Sequence, residues 1–435
     1  MEVLAVIFII TTFLLIFSGY PVTWVLAGSS TCFFILGVCL GLIPANTLNI
    51  VPNRILGIMS NQTLLAIPYF ILLGNILNET GLARELLISM TKLFGKLKGG
   101  LGYSVIIVGS LLSASTSVIA ATLVSVGSFS LPVMLEHKYS KEYSSGIIIA
   151  TSTLGQILPP AIVLIILADQ IGVSVGKLFK SSIIPGLLLV LFYIIYTFVL
   201  TIKEPNSFKT LQNQQSISNT IDKQFLFALL VPLCLIIIIL GSILAGFATA
   251  TEAGAIGVLF TILQTISQKK LTFKKLKTSI EISVKSTTYI MFLLIGATLF
   301  SLVFRSFNGD DLLNSFFLNF SDSNKNIVLI SCLFVFILGF FIDFFEICFI
   351  VIPIFAPIAM EANVDMIWYA VLIAMTMQTS FLTPPFGFSL FYFKDVAKDQ
   401  ISIDTIYKSV IPFILIQIFC LMIIYKYPSI IHLFN

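Results

Sequence analysis

The sequence predicts an all-α polytopic membrane protein built from an inverted repeat, with two re-entrant hairpins and two interrupted helices. Three observations lead to this prediction. The 435 residues are 58% hydrophobic and 10% charged, whereas soluble domains carry about 25% charged residues. Apolar runs of about 20 residues, long enough to cross a bilayer as a helix, recur along the chain. Two of these runs contain adjacent prolines, which remove hydrogen-bond donors and break helices.

The first half begins with apolar spans at about 1–19, 22–44 and 63–82. An amphipathic, basic segment at 83–100 has leucines at helical spacing, which is typical of a helix at the membrane interface. The apolar run at 101–134 is broken by the polar sequence SASTS at 113–117. Because each arm is short for a full span, a re-entrant hairpin is favoured over one ordinary span plus a short helix.

A polar, linker-like stretch at 204–223 divides the chain near its middle, and the pattern of the first half is repeated after it. Before the linker come an interrupted segment at 142–171 and a span at 181–203. After it we predict spans near 224–246 and 250–268, a second basic interfacial segment at 268–277, a span at 286–307, a broken stretch at 326–358, an interrupted segment at 366–394 and a last span at 410–428.

An internal repeat relates the two halves. Residues 131–160 align with 356–385 without a gap, so that Pro132 falls on Pro357 and both proline pairs coincide. Chance matching of apolar sequence is the alternative, but a shared proline pair at one spacing argues against it. Each half therefore contains a hairpin, an interrupted helix and a closing span.

The positive charges predict the topology. With both termini outside, 18 of the 24 Lys and Arg residues fall on inner loops, as the positive-inside rule requires. The first hairpin then lies on the inner face and the second on the outer face. The repeat is therefore predicted to be inverted, which is the arrangement used for alternating access.

Polar residues gather beside both proline pairs. An interrupted helix exposes carbonyls that can bind Na⁺ and an N-terminus that attracts an anion, and hydroxyls add neutral oxygen ligands. Each hydroxyl alone could instead bond to its own helix, but two such clusters favour a binding site for sodium and substrate. The candidates are Ser115, Thr116, Thr153, Gly155 and Gln156 in the first half, and Gln378, Thr379, Ser380, Thr383 and Gly387 in the second.

Two acidic residues, Asp343 and Glu346, are predicted at the turn of the second hairpin. Ionised groups at membrane depth are usually functional, so a role in ion binding, gating or tip stabilisation is favoured. The alternative is that they cap the hairpin arm and face water. The sequence has no phosphate-cradling glycine loop, no metal-ligand cluster and no pairing of nucleophile and base, which argues against an ATP-driven pump on this chain and against an intramembrane enzyme.

The motifs carry a family likeness over nearly the whole chain. The strings PYFILLGNILNETGLARELL, STLGQILPP, FATATEAGAIGV and LTPPFGFSLFYF resemble the large membrane subunit (DctM-type) of tripartite ATP-independent periplasmic (TRAP) transporters. FIDFFEICFIVIP and TLGQILPPAIVLIILAD look like the branch known for mannitol/chloroaromatic compounds, which also includes carriers of 2-oxo and hydroxy monocarboxylates. There are departures: Thr122 stands near where the sialic-acid branch has an acidic residue, and Ala250 replaces the proline of the family's TPTEA pattern.

The resemblance implies a multi-pass protein of the bacterial inner membrane. It would import an organic anion, driven by Na⁺ and without another cofactor, by an elevator mechanism. The implied partners are a small membrane subunit (DctQ-type) and a periplasmic binding protein (DctP-type), and the alternative is a stand-alone ion-coupled carrier of related fold. The implied divisions are 1–97 for N-terminal scaffold spans and an arm helix, 98–171 for the first transport-domain half, 172–325 for scaffold spans, linker and second arm, 326–394 for the second transport-domain half, and 395–435 for the C-terminal span.

Overall fold

The computed structural model describes residues 1–95, 97–116, 119–205, 208, 223–312 and 324–433. Ser117 of the predicted polar tip and most of the predicted linker 204–223 lie outside the described residues. Every regular element in the described part of the chain is helical.

The N-terminal part follows the predicted spans, with one addition. Its helices are α1 (Glu2–Phe17), α2 (Val22–Cys39), α3 (Ile50–Met59), α4 (Ala66–Glu79) and α5 (Leu82–Phe94). The short α3, which follows a helical turn at Ala45–Asn49, was not predicted from the sequence. The basic segment forms α5, which begins after Gly81 in the left-handed conformation (φ +75°).

The first hairpin and interrupted helix form where predicted. The elements are α6 (Gly100–Thr116), α7 (Ile119–Glu136), α8 (Lys141–Thr153), α9 (Ile162–Ile171) and α10 (Val175–Lys203). Helix α8 begins at Ser140, whose hydroxyl accepts the Tyr143 N–H at 3.1 Å and so satisfies one of the first free donors of the helix.

The second half contains α11 (Lys223–Leu244), α12 (Ala250–Ser267), α13 (Phe273–Ser306), α14 (Asn324–Leu338), α15 (Phe344–Glu361), α16 (Met366–Leu382), α17 (Phe388–Ala397) and α18 (Ile403–Lys426). One prediction is corrected here. The second basic segment and the span at 286–307 are not separate, because α13, which is 34 residues long, begins within the segment at Phe273 and continues through the span. No glycine or proline interrupts the sequence between Phe273 and Gly296, so nothing local ends the helix.

The repeat predicted from the prolines is visible in the helix boundaries. Ile119 and Phe344 begin the second hairpin arms, and Glu136 and Glu361 end them; each pair lies 225 positions apart. The same offset relates the two N-caps of the interrupted helices, Ser140 and Asp365. The two halves therefore share one architecture.

Packing divides the described helices into two groups. Helices α2, α4, α12 and α13 pack against one another, while α6, α7, α8 and α18 form a second cluster that includes α16. The second part of each interrupted helix contacts the second hairpin arm of the opposite half, α17 on α7 and α9 on α15. The interrupted helices thus tie the two halves of the repeat together.

The interrupted helices lie at the centre of this second group. Every residue from Tyr143 to Thr153 is buried, as is every residue from Trp368 to Leu382. A helix buried on all sides is shielded from lipid by its neighbours. Polar side chains on α8 and α16 are therefore held inside the protein at membrane depth.

Seven of the described helices are long and apolar enough to cross a membrane, among them α2, α10, α12, α13 and α18. The second hairpin arms α7 and α15 are the other two. At 18 residues each, these arms are longer than the sequence analysis expected, since it took each arm as short for a full span. Together these helices make the chain a multi-pass membrane protein.

Candidate functional site

Both interrupted helices break at their proline pairs. After α8 the chain makes one tight turn at Leu154–Gln156 and resumes helical structure at Ile162. After α16 it leaves the helix at Thr383 and resumes at Phe388. The bonds Pro159–Pro160 and Pro384–Pro385 are both cis. Because proline has no N–H, carbonyls of the preceding turn lose their helical partners and become available to other donors or ions.

In the first half, the hairpin meets the break at a close contact between Ser113 and Gly155. The Ser113 hydroxyl donates to the Ser152 carbonyl at 2.9 Å. A Cβ atom on Gly155 would lie 2.3 Å from the Ser113 carbonyl oxygen. Glycine is therefore required for the approach of α6 to the break.

The second half makes a similar contact in which serine and glycine have changed sides, although Gly339 aligns with Ala114 and not with Ser113 at the 225-residue offset. Here the interrupted helix supplies the serine, Ser380, whose hydroxyl donates to the Phe336 carbonyl of α14 at 2.6 Å. The hairpin supplies the glycine, Gly339, on which a Cβ atom would lie 2.6 Å from the Ser380 Oγ. We call these two contacts the first and second seams.

Apart from Ser380, the candidate hydroxyls bond to their own helices. Each donates to a carbonyl three or four residues earlier, over 2.7–2.9 Å: Ser115 to Leu111, Thr116 to Leu112, Thr153 to Ala150, Thr379 to Met375 and Thr383 to Thr379. A hydroxyl that donates its proton in this way keeps oxygen lone pairs that can face a cation. This geometry fits both the structural and the ligand interpretation of these residues.

Gly387 lies at the C-terminal side of the second break, where the chain turns back into a helix. A Cβ atom there would lie 2.5 Å from the Phe381 carbonyl oxygen. That carbonyl accepts a hydrogen bond from Ser389 at 2.5 Å, so α17 is joined directly to the end of α16. Ser389 was not among the sequence candidates.

Two glutamine amides stand out at the breaks. Gln156 and Gln378 are both fully buried, and neither the amide nitrogen nor the amide oxygen of either residue has a protein partner among the described residues. A buried polar group without a partner costs about 1–3 kcal/mol. Each amide presents donors and an acceptor, so each can hold an anion or a cation.

The tip of the second hairpin is stabilised by Asp343 and Glu346. The Asp343 side chain accepts the Phe344 N–H at 2.7 Å, and Glu346 accepts the Asp343 N–H at 3.0 Å, which forms a capping box. Glu346 is 5% exposed and also accepts the Tyr289 hydroxyl of α13 at 3.3 Å. The acidic pair thus caps the arm, as one alternative held, but Glu346 is buried and does not face water.

A further buried group was missed by the sequence analysis. Gln417 of α18 donates to the Tyr193 hydroxyl of α10 at 2.9 Å and to the Thr153 hydroxyl at 3.5 Å. The two closing helices are therefore connected to the end of α8. A single glutamine within the apolar run IPFILIQIFCLMII was the feature of the sequence that could have revealed it.

The site is built from neutral groups. In the part of the chain that the structure describes, no group of three His, Cys, Asp or Glu residues is placed to hold a metal ion. A cation at the breaks would be bound by hydroxyl, amide and carbonyl oxygens, which suit hard monovalent or divalent ions better than transition metals.

Comparison with known proteins agrees with this architecture. Residues 9–430 match the family "Tripartite ATP-independent periplasmic transporter, DctM component". The chain is 30% identical to the uncharacterized protein YgiK of Salmonella typhimurium, covering 94% of this chain and 92% of YgiK. It is 26% identical to the sialic acid TRAP transporter large permease protein SiaM of Vibrio cholerae, covering 95% and 94%, and 28% identical to the C4-dicarboxylate TRAP transporter large permease protein DctM of Pseudomonas aeruginosa, covering 85% of each chain.

A solved structure supports the fold. The Alcanivorax borkumensis YdaH transporter, which was described as having an unusual topology, matches with a TM-score of 0.63 at 12% identity, over 89% of this chain and 90% of that one. The family is one of transporter permeases, which is not an enzyme class. The chain therefore belongs to the DctM component family of tripartite ATP-independent periplasmic transporters and is a multi-pass protein of the bacterial inner membrane.

Proposed function

We propose that this chain is the large permease subunit of a sodium-coupled TRAP transporter that imports an organic anion, which we take to be a carboxylate. The observation that carries the proposal is the pair of fully buried, unpartnered amides, Gln156 and Gln378, one beside each helix break. A ligand that supplies their missing hydrogen bonds or ion contacts would remove the cost of burying them.

Each break offers a complete set of groups for such a ligand. Carbonyls freed at the ends of α8 and α16 and the hydroxyls of Thr153, Thr379 and Thr383 present oxygen atoms to Na⁺. The N-termini of α9 and α17 carry a partial positive charge that favours a carboxylate. Because the site itself is neutral, it suits the simultaneous binding of Na⁺ and a carboxylate, whose charges balance each other.

An elevator movement is the mechanism that we propose. The group formed by hairpins and interrupted helices packs on the α2–α4–α12–α13 group, with α4 directly against α6, and exchangeable side-chain hydrogen bonds connect it to this group and to the loop before α4. These are Ser125 to Asn78 at 3.1 Å, Asn61 to Asp169 at 2.6 Å and Tyr289 to Glu346 at 3.3 Å. Sliding of one group past the other would exchange these bonds for others while leaving both breaks intact.

The assembly that we propose has three components. The family description is "tripartite", and several relatives are named large permease proteins, which supports a small DctQ-type membrane subunit and a periplasmic DctP-type binding protein as partners. The substrates in the relatives' names are sialic acid, C4-dicarboxylates and 2,3-diketo-L-gulonate. All are organic acids, so these compounds form the first panel to test.

Transport is tested in proteoliposomes that contain the chain with its small subunit and binding protein. Uptake of a substrate that the binding protein binds should require an inward Na⁺ gradient and should stop when K⁺ replaces Na⁺. Uptake that persists without the binding protein would instead support a stand-alone carrier, and uptake unaffected by Na⁺ would overturn the proposed coupling.

Sodium binding is tested without any substrate by thermal unfolding of the purified chain in NaCl and in KCl. A ligand at 100 times its Kd stabilises the folded state by about 2.7 kcal/mol, so NaCl should raise the unfolding midpoint. Gln378→Leu should abolish that rise. Gln264→Leu is the matched control, because the Gln264 amide of α12 also lacks a protein partner among the described residues but lies away from the breaks; this variant should keep the response to sodium.

A further inference from the structure

An apolar cleft opens between α2 and α13, away from the interrupted helices. Phe34 and Val38 of α2 line one wall, Leu302 and Val303 of α13 line the other, and Leu48 closes one end. Its volume is about 280 Å³, near the lower limit of about 300 Å³ for small-molecule pockets. A cleft of this size and lining suits a single hydrocarbon chain.

The cleft opens towards the lipid-facing surface of the protein. Leu48 is 46% exposed, and Ile35, on the same wall as Phe34, is 56% exposed. The following helix α3 has no buried residue, and its Leu56 is 66% exposed. An amphipathic segment of this kind lies at the level where lipid headgroups meet acyl chains.

Two arginines lie on helices that form or adjoin the Leu48 end of the cleft. Arg305 follows the lining residue Val303 by two positions, and Arg54 lies on α3, which packs against α13. Arg305 pairs with Asp310 at 3.4 Å. Arg54 is half-buried and has no carboxylate within ion-pair distance among the described residues. Its pKa lies below the usual value because burial removes water from the guanidinium and Arg305 repels its charge.

Arg305 already pairs with Asp310, whereas Arg54 has no such partner among the described residues, and a half-buried cation is stabilised by an anion that takes this place. The apolar cleft excludes a free inorganic ion as the whole ligand, since it would leave the hydrocarbon-lined space unfilled. We propose that an anionic phospholipid binds here, with one acyl chain in the α2–α13 cleft and its phosphate against Arg54 and Arg305. In the topology predicted from the charges, this end of the cleft lies in the outer leaflet.

The test measures lipid retention by the full-length, delipidated chain, using native mass spectrometry with phosphatidylglycerol and phosphatidylcholine of identical acyl chains. One basic residue near an anionic lipid is worth about fivefold in affinity. Arg54→Gln should therefore weaken phosphatidylglycerol binding about fivefold and phosphatidylcholine binding less, because the choline of phosphatidylcholine offsets the charge of its phosphate, and Arg54→Lys should retain the preference for phosphatidylglycerol. Val38→Phe, which fills the cleft, should weaken both lipids equally.

Lys426→Gln is the matched control. It removes a positive charge at the end of α18, where the Lys426 ammonium lies over the Tyr427 ring at 5.6 Å, and it should leave both lipids unaffected. The proposal is overturned if Arg54→Gln and Lys426→Gln have equal effects, or if Val38→Phe retains both lipids. It is also overturned if the chain retains inorganic phosphate as well as it retains the lipid. The same holds if the small subunit displaces the lipid from the cleft in the complex.

Discussion

Replacing Gly155 with alanine is expected to force the first seam apart. The new methyl carbon would lie 2.3 Å from the Ser113 carbonyl oxygen, 2.4 Å from its Oγ and 2.8 Å from its carbonyl carbon. Favourable carbon–oxygen contacts begin at about 3.3 Å, so α6 would have to move by about 1 Å. Overpacking of this kind destabilises the folded state by about 1–3 kcal/mol. We expect a value of about 3 kcal/mol, because the clashing atoms belong to the main chain of α6 and cannot rotate away.

The assay is thermal unfolding in detergent, followed by far-UV circular dichroism. Gly155→Ala should lower the midpoint, and Ser113→Gly should fail to restore it, because the Ser113 carbonyl remains in place. Gly241→Ala is the control: this glycine lies within α11, no described atom outside its own helix lies within 4 Å of the added Cβ, and alanine is favoured over glycine in a helix by about 1 kcal/mol.

The second seam should behave differently. A Cβ atom on Gly339 would meet the Ser380 side chain, at 2.6 Å from Oγ and 2.9 Å from Cβ. Gly339→Ala should therefore be destabilising alone and partly rescued by Ser380→Gly. Our account of the seams is refuted if Gly155→Ala unfolds with the wild-type midpoint, or if Ser113→Gly restores it fully.

Three further outcomes follow from individual polar side chains. Gln156→Leu, measured without sodium, should leave the stability unchanged or raise it by about 1–3 kcal/mol, because an unpaired amide is removed; a clear loss of stability would show that the amide has a structural partner. Gln417→Leu should cost about 1–3 kcal/mol by leaving the Tyr193 hydroxyl unpaired, and a double-mutant cycle with Tyr193→Phe should show coupling rather than additivity. Asp365→Ala should cost about 0.5–2 kcal/mol by removing the N-cap of α16, and an unchanged unfolding midpoint would contradict this.

The features predictable from the sequence were those encoded locally. The proline pairs predicted both breaks, and one alignment offset related the two hairpins and the two interrupted helices; the caps at Ser140 and Asp365, which share this offset, were not predicted. The continuity of α13 was missed because a basic segment was interpreted as an interfacial helix of its own, although no breaker separates it from the span.

The contacts that build the site depend on residues far apart in the chain. Gln417 and its partner Tyr193 are 224 positions apart, and Ser380 and Phe336 are 44 apart. Hydropathy and helical periodicity report which face of a helix is buried but not which side chain it meets. The unpartnered amides of Gln156 and Gln378 were named as candidates from their position beside the prolines, yet their lack of partners required three-dimensional structure.

The exchange of serine and glycine between the two seams has an evolutionary consequence. A chain made by duplicating one half would carry the same residue type on each side of the repeat, whereas here Gly155 corresponds to Ser380 at the 225-residue offset. Two serines at one seam would compete for one space, and two glycines would leave a carbonyl without its donor. We therefore expect substitutions at the seam positions to be tolerated in pairs, and among homologous chains we expect a glycine on one side to co-vary with a small hydroxyl residue on the other.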